Sequence, residues 1–326
     1  MALPFSRLIR TSLSHSDHNP LILIPAAATM TSDANHGFSR PEMYKDNLAG
    51  TVDAYHRHVF LCYKNHHAWP ARVEADSLPK RVADAWKARK NLIAVKQTKI
   101  TVCEAREEDD FSQGDVLIFP DMIKYRGLEE SNVDSFFDDV MVSGKLWSGG
   151  AQNVFAGSHI FVCAHGSRDV RCGVCGPILI EKLHEEVQLR GLKDQISVMA
   201  CSHVGGHKYA GNVIIFSPGQ DGKFMGHWYG YVTPSDVPAL LDQHIAKGEI
   251  IQKLWRLLLL FMGQMEPPVA EVKGADDQKL ANGDITRKAK KNDEESKDEN
   301  VAGCCQGLSG VSCCRSGSSE YNKGTD

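Results

Sequence analysis

The sequence predicts an α/β fold made of two tandem copies of one unit, the first degenerate and the second carrying a site. Three observations predict it. His58-Val59-Phe60-Leu61-Cys62 recurs as His159-Ile160-Phe161-Val162-Cys163, and Ile100-Thr101-Val102 recurs as Ile196-Ser197-Val198 at almost the same separation. Gly114-Asp115-Val116-Leu117-Ile118-Phe119-Pro120 recurs as Gly211-Asn212-Val213-Ile214-Ile215-Phe216-Ser217-Pro218. Each run is short, apolar and rich in β-branched or aromatic residues, which is how a buried strand reads. Three matches in one order mark a duplicated unit.

Taken in order, the first strand of each copy ends in a cysteine and leads into a helical pattern. Leu78 to Lys90 carries Leu78, Val82, Ala85, Trp86 and Ala88, and Ile178 to Leu189 carries Ile178, Leu179, Leu183, Val187 and Leu189, at near-helical spacing. The second and third repeated strands follow. In the second copy the closing helix starts at Thr233, an N-cap with Pro234 at the first helical position and Asp236 three residues after the cap. It continues through Leu240, Leu241 and Ile245. Each unit thus reads strand, helix, strand, strand, helix. A four-strand α/β sandwich of the thioredoxin type fits this order, with the functional loop after the first strand.

Length and composition set the limits. At about 150 residues per domain, 326 residues allow two compact domains and a remainder. A net charge of −4 argues against a polybasic nucleic-acid binder, and 42% hydrophobic with 24% charged residues is a globular composition. The longest apolar run, Leu257 to Met262, is far short of the roughly 20 residues that a membrane span needs, so no integral span is expected. Ten cysteines are too sparse for a disulfide scaffold, and no secretory signal opens the chain. A reducing compartment follows, with the cytoplasm as the expected location.

The expected organisation is a flexible extension over 1–40, a degenerate unit over 41–145, the site-bearing unit over 150–262, and a disordered linker with a Cys-rich tail over 263–326. Residues 1–16 hold Arg7 and Arg10, no acid, and loosely amphipathic Leu3, Phe5, Leu8, Ile9 and Leu13. If residues 1–30 act as a presequence, the location becomes mitochondrial or another organelle. In the tail, Cys304-Cys305 and Cys313-Cys314 are vicinal pairs suited to metal capture, disulfide exchange or palmitoylation, or are exposed thiols with no fixed role.

The second copy holds the chemistry. After Cys163 the chain reaches Cys172 and then Cys175 at the mouth of the helix, and after the second strand comes Cys201-Ser202-His203-Val204-Gly205-Gly206-His207. Thiolates and imidazoles thus arrive from two loops at one sheet edge, a set suited to zinc or to an iron-sulfur cluster. Gly205 and Gly206 let the chain turn tightly enough for both histidines to face one centre. The first copy lacks the set: Ala71 stands nine residues after Cys62, and no paired histidines follow Cys103. Arg168, Arg171 and Lys208 read as cations that offset cluster charge or guide an acidic partner, or as solvated loop residues, and His165 and His227 as surface residues.

These motifs resemble the sucrase/ferredoxin-like proteins, also described as thioredoxin-like 2Fe-2S ferredoxins and including proteins named for altered inheritance of mitochondria. The resemblance covers about residues 40–256. It rests on Phe161-Val162-Cys163-Ala164-His165-Gly166, Arg171-Cys172-Gly173-Val174-Cys175-Gly176-Pro177, the run from Cys201 through His207 to Val213, and Tyr229-Gly230-Tyr231-Val232-Thr233-Pro234. In bis-histidinyl members, two cysteines separated by eight residues and two histidines separated by three hold the cluster, which implies Cys163, Cys172, His203 and His207 here. The paired-cysteine tail is similar to that of plant members. The resemblance also expects Gly-Gln-Met soon after Arg256, so Leu257 to Met262 reads as a helix extension or a gene-model error.

Such a ligand set implies a one-electron carrier for unknown redox donor and acceptor proteins. Neutral imidazoles in place of two thiolates raise the potential, and a histidine ligand can couple electron to proton transfer. Two alternatives stand beside it. Cys172 and Cys175 form the Cys-x-x-Cys of a thioredoxin-like dithiol oxidoreductase, and Cys172, Cys175, His203 and His207 would serve a structural zinc module. The family's sucrase label implies two opposed carboxyls about 5 to 10 Å apart, but no carboxyl here sits in a catalytic motif, so glycosidase activity is not expected. No glycine pattern for a nucleotide or flavin occurs.

Overall fold

A computed structural model describes residues 37–219 and 221–259. The N-terminal presequence-like segment and the tail cysteines lie outside the described residues. The strands and main helices run β1 (Arg57–Cys62), α1 (Ser77–Arg89), β2 (Thr98–Cys103), β3 (Val116–Phe119), β4 (Ile123–Tyr125), α2 (Val133–Phe136) and β5 (Gln152–Val154). They continue as β6 (Ser158–Cys163), α3 (Val170–Leu189), β7 (Ile196–Cys201), β8 (Val213–Pro218), β9 (Phe224–Tyr229), α4 (Val237–Ala239) and β10 (Trp255–Leu259). Both α2 and α4 pass into six-residue π-helical turns, Phe137–Val142 and Leu240–Ile245. The Thr233 and Asp236 side chains form the reciprocal capping box that their spacing predicts.

The strands make one mixed sheet in the order β10-β9-β8-β6-β7-β2-β1-β3-β4-β5. Within it one pattern occurs twice. β1 lies between parallel β2 and antiparallel β3, with β4 beyond. β6 lies between parallel β7 and antiparallel β8, with β9 beyond. This is the thioredoxin-like strand order in both halves, each with a helix between its parallel strands.

Register refines the repeat. His58 and His159 pair with Lys99 and Ser197, so Ile100 corresponds to Val198 and Cys103 to Cys201. The match of Ile100 to Ile196 read from sequence is therefore displaced by two residues. A two-residue slip returns every side chain to the same face, which is why the apolar pattern survived it. Residues 257–259 are also corrected: they continue strand β10, which pairs antiparallel with β9, and are not a helix extension, while 260–262 lie outside the described residues.

The halves join where the tips of β2 and β7 meet through the single pair Cys103 and Cys201. On the outer face of the first half, Val59, Leu61, Ile100 and Val102 pack with Val82 and Trp86 of α1 and with Phe136 and Phe137. On the inner face, Phe60 stacks on Phe161 at 3.7 Å and 6°, and Phe119 on Phe216 at 4.1 Å and 21°. Strands β1 and β6 are three places apart in the sheet, so ring contact requires the sheet to fold over at the β2–β7 junction. Each ring stacks on its own repeat equivalent, the mark of an internal two-fold relation. Such pairs add about 0.5–1.5 kcal/mol each beyond the area that they bury.

Several core histidines are held neutral by burial. Desolvation lowers His159 and His227 to about 4 and His244 to about 3, from an ordinary value of 6.5. Between these values and 6.5 the unfolded chain binds more protons than the folded one, so the stability is full above about pH 6.5 and falls as the pH drops towards 4. The urea midpoint is expected to be lower at pH 5 than at pH 7. Equal midpoints would contradict the burial argument.

Candidate metal centre

β6 delivers Cys163 at its end, and the chain returns at once into α3. Asp169 caps that helix by accepting from the Arg171 backbone N–H at 3.0 Å, and its carboxylate also accepts from the Arg171 guanidinium at 3.1 and 3.0 Å. The helix starts at Val170, upstream of the Ile178 read from periodicity, so Cys172 and Cys175 lie within its first two turns. Glycines allow the return: a Cβ on Gly173 would stand 2.4 Å from Gly166 Cα, and one on Gly176 would stand 2.5 Å from the Cys163 carbonyl. Cys172 is thereby pressed against the strand end that carries Cys163.

The second loop follows β7. Gly205 and Gly206 both adopt positive φ, +85° and +64°, and turn the chain between His203 and His207. The two imidazoles lie 5.9 Å apart and nearly parallel. Arg256 of β10 supports this turn from below. It is fully buried, donates to Asn212 Oδ1 at 2.6 Å and to Thr51 Oγ1 at 3.0 Å, and Asn212 in turn donates to the Gly206 carbonyl at 3.1 Å. A Cβ on Gly206 would meet the Arg256 guanidinium at 2.6 Å. Gly206→Ala is therefore expected to shift the histidine loop and cost about 1–3 kcal/mol, read as a lower melting temperature.

Donor atoms of Cys163, Cys172 and His203 all lie within 4.8 Å of one another, with Cys172 Sγ 3.9 Å from His203 Nδ1. His207 stands beside His203, partly exposed, with its pKa lowered by burial and by Arg171. Cys175 and Cys201 are buried but do not belong to the three-donor group. The hydrogen bond from Cys172 draws Cys163 well below the ordinary thiol range, while the same contact and burial drive Cys172 up. A metal bound there would compete with the thiol protons. In the first half, Cys62 and Cys103 lie in contact, Sγ to Sγ 3.5 Å, and no third donor joins them among the described residues.

Sequence reasoning missed two supports. His165, read as a surface residue, is buried against Trp69 and Pro70 of the first unit. Its Nε2–H donates to the Pro70 carbonyl at 2.9 Å, which leaves Nδ1 to accept from the His203 backbone N–H at 3.2 Å. Ser167 donates to the Trp69 carbonyl at 2.6 Å, and the Trp69 ring stands edge-on to His165. The first unit therefore grips the ligand loop of the second. His227, also read as exposed, is buried against His244. Nothing local in the sequence signals either burial, because both depend on residues roughly 100 and 17 positions away.

Fold and donor set together define an α/β protein with two thioredoxin-like halves and a buried Cys/Cys/His group at the edge of the second. The chain belongs to the sucrase/ferredoxin-like family, whose profile matches residues 48–257. It is 43% identical over 97 residues to altered inheritance of mitochondria protein 32 of Debaryomyces hansenii, covering 30% of this chain and 34% of that protein. The match therefore spans about a third of that relative's length. Similarity to the protein of the same name from Kluyveromyces lactis is 25% over 255 residues, covering 64% and 76% of the two chains. Among solved structures, the thioredoxin-like [2Fe-2S] ferredoxin of Aquifex aeolicus aligns at 21% identity over 31% of this chain and 97% of that one, with a TM-score of 0.25. No helix among the described residues is long and apolar enough to cross a membrane.

Proposed function

We propose that this chain is an electron-transfer protein that holds one 2Fe-2S cluster through Cys163, Cys172, His203 and His207. The observation that carries the reading is the convergence of two sulfurs and an imidazole nitrogen within 4.8 Å, next to a second imidazole. This donor set fits the group: soft thiolates to hold iron on one side and neutral nitrogens on the other. When bound, the cluster would supply a reversible one-electron couple. Cys163, already drawn towards the thiolate, and Cys172 would anchor it from the buried side. His203 and His207 would face the surface, where electrons enter and leave. His165 fixes the backbone of His203 and so its ring position.

Replacing two thiolates by imidazoles makes the centre less negative, so the potential should lie above that of all-cysteine ferredoxins. The histidines would also carry a proton with the electron, and a reduction potential that stays flat across pH 6–9 would refute that coupling. The dithiol alternative is disfavoured, since burial raises Cys175 and the contact with Cys163 raises Cys172, the opposite of an activated thiol. Anaerobic purification with a visible spectrum and iron, sulfide and zinc analysis tests the reading. A brown protein with about two irons and two sulfides, altered by the double change His203→Ala, His207→Ala, is expected. A colourless protein with one zinc would overturn it.

A further inference from the structure

Of the four candidate donors, His207 is the one outside the three-donor group, so its place depends on the backbone that carries it. That backbone is a single 3-10 turn, His207–Tyr209. It is closed by the Tyr209 N–H on the Gly206 carbonyl at 2.8 Å and the Ala210 N–H on the His207 carbonyl at 3.0 Å. So short a turn has too few hydrogen bonds of its own to hold an orientation, and it relies on what grips its ends. The positive-φ pair Gly205 and Gly206 makes the link to His203 pliant, so fixing one histidine does not fix the other.

Two arginines grip those ends. At the first, Arg256 holds Asn212, which donates to the Gly206 carbonyl. At the other, Arg40 Nη2–H donates to the Ala210 carbonyl at 3.0 Å, across 170 residues of sequence. Arg40 Nη1–H donates to the Gly37 carbonyl at 2.8 Å, the Glu42 carboxylate lies 3.4 Å from Nε, and the Tyr231 ring lies 5.3 Å from the guanidinium carbon. The guanidinium also meets the Cys175 thiol of α3. With its side chain only 12% exposed, Arg40 makes charge-assisted bonds that water does not replace. The segment that carries Arg40 is fastened independently of the guanidinium. The Met43 N–H closes a turn on the Arg40 carbonyl at 3.0 Å, Met43 packs with Leu48, Tyr209 and Tyr231, and the Tyr44 hydroxyl donates to the Tyr231 carbonyl at 3.2 Å. Phe38 is buried in the main core. Trimming the guanidinium therefore frees Ala210 while residues 37–44 stay in place.

We propose that Arg40 is a positioning residue for His207: by holding the Ala210 carbonyl it keeps the His207 imidazole beside that of His203. The inference rests on the reading of Cys163, Cys172, His203 and His207 as donors. His203 does not share the dependence, because its own N–H is held by His165 on the other side of the loop. Arg40 thus bears on one histidine and not on the other, which separates it from a general contribution to the core. Groups that orient a metal-binding histidine are worth about 10–100-fold in metal affinity.

The test is a double-mutant cycle on the full chain, freed of metal without oxygen and titrated with cobalt(II), a coloured probe of sites with nitrogen and sulfur donors. Sulfur-to-cobalt absorption reports the cysteines, and the affinity reports the whole set. Arg40→Met keeps an apolar chain in place and is expected to weaken cobalt binding by about tenfold, while the sulfur-to-cobalt band and the far-UV spectrum remain. In the His207→Ala background the same change should alter the affinity by less than about twofold, because the residue that it positions is gone. Arg40→Gln replaces Arg40→Met in the cycle if the latter fails to fold. Equal loss in both backgrounds, or no loss in either, would overturn the proposal and leave the donor group standing. A parent chain without sulfur-to-cobalt absorption would refute the donor group itself, and the proposal with it.

Discussion

Cys172→Ala should empty the proposed centre: iron falls from about two per chain to background and the visible absorption disappears, whereas Cys175→Ala keeps both. The contrast follows from geometry. Cys172 lies in the third helical position, within 4.8 Å of Cys163 and His203, and alanine leaves no donor atom in its place. Cys175 lies one turn on and outside the group, so its loss removes a buried thiol that packs in the core and meets Arg40, at about 1 kcal/mol. A zinc module built on Cys172, Cys175, His203 and His207 predicts equal loss from the two substitutions. Metal and sulfide analysis of the pair, purified side by side without oxygen, separates the two sites even if one variant is less stable.

Much of this was legible in the sequence because it is local or repeated. Strand identity came from apolar runs, the capping box from Thr233 and Asp236, and the glycine turn from Gly205-Gly206. The candidate donors stood out because Cys163 and Cys172, and His203 and His207, are close in sequence in each loop, and the structure brings Cys163, Cys172 and His203 together. What was not legible is how the units meet. The folding of the sheet at Cys103 and Cys201 depends on Phe60 finding Phe161 and Phe119 finding Phe216 across about 100 residues, and periodicity carries no information about partners so distant. Arg256 illustrates the same limit. Its flanking sequence names no partner, yet it is buried beneath the histidine loop and bonded to Asn212 and Thr51.

The same reasoning gives the first unit a purpose that its missing ligands do not, and Trp69→Ala measures it. Trp69 is 2% exposed, donates through Nε1 to the Tyr63 carbonyl at 2.7 Å, and lies edge-on to His165 at 5.6 Å. Truncation removes a large buried ring and leaves that carbonyl without its donor, so unfolding free energy should fall by about 3–5 kcal/mol. Stability loss alone would say only that the ring is in a core. The informative readout is iron release to a chelator under conditions where the variant remains folded. If the first unit clamps the second through Trp69, Pro70, His165 and Ser167, the Ala variant releases iron faster, whereas Trp69→Phe, which keeps a ring against His165, stays near the parent rate. Equal release from both variants and the parent would confine the first unit to a scaffolding role. Faster release from Ala alone would mean that the first half, which has no comparable donor group among the described residues, holds the loop that positions the donors of its neighbour.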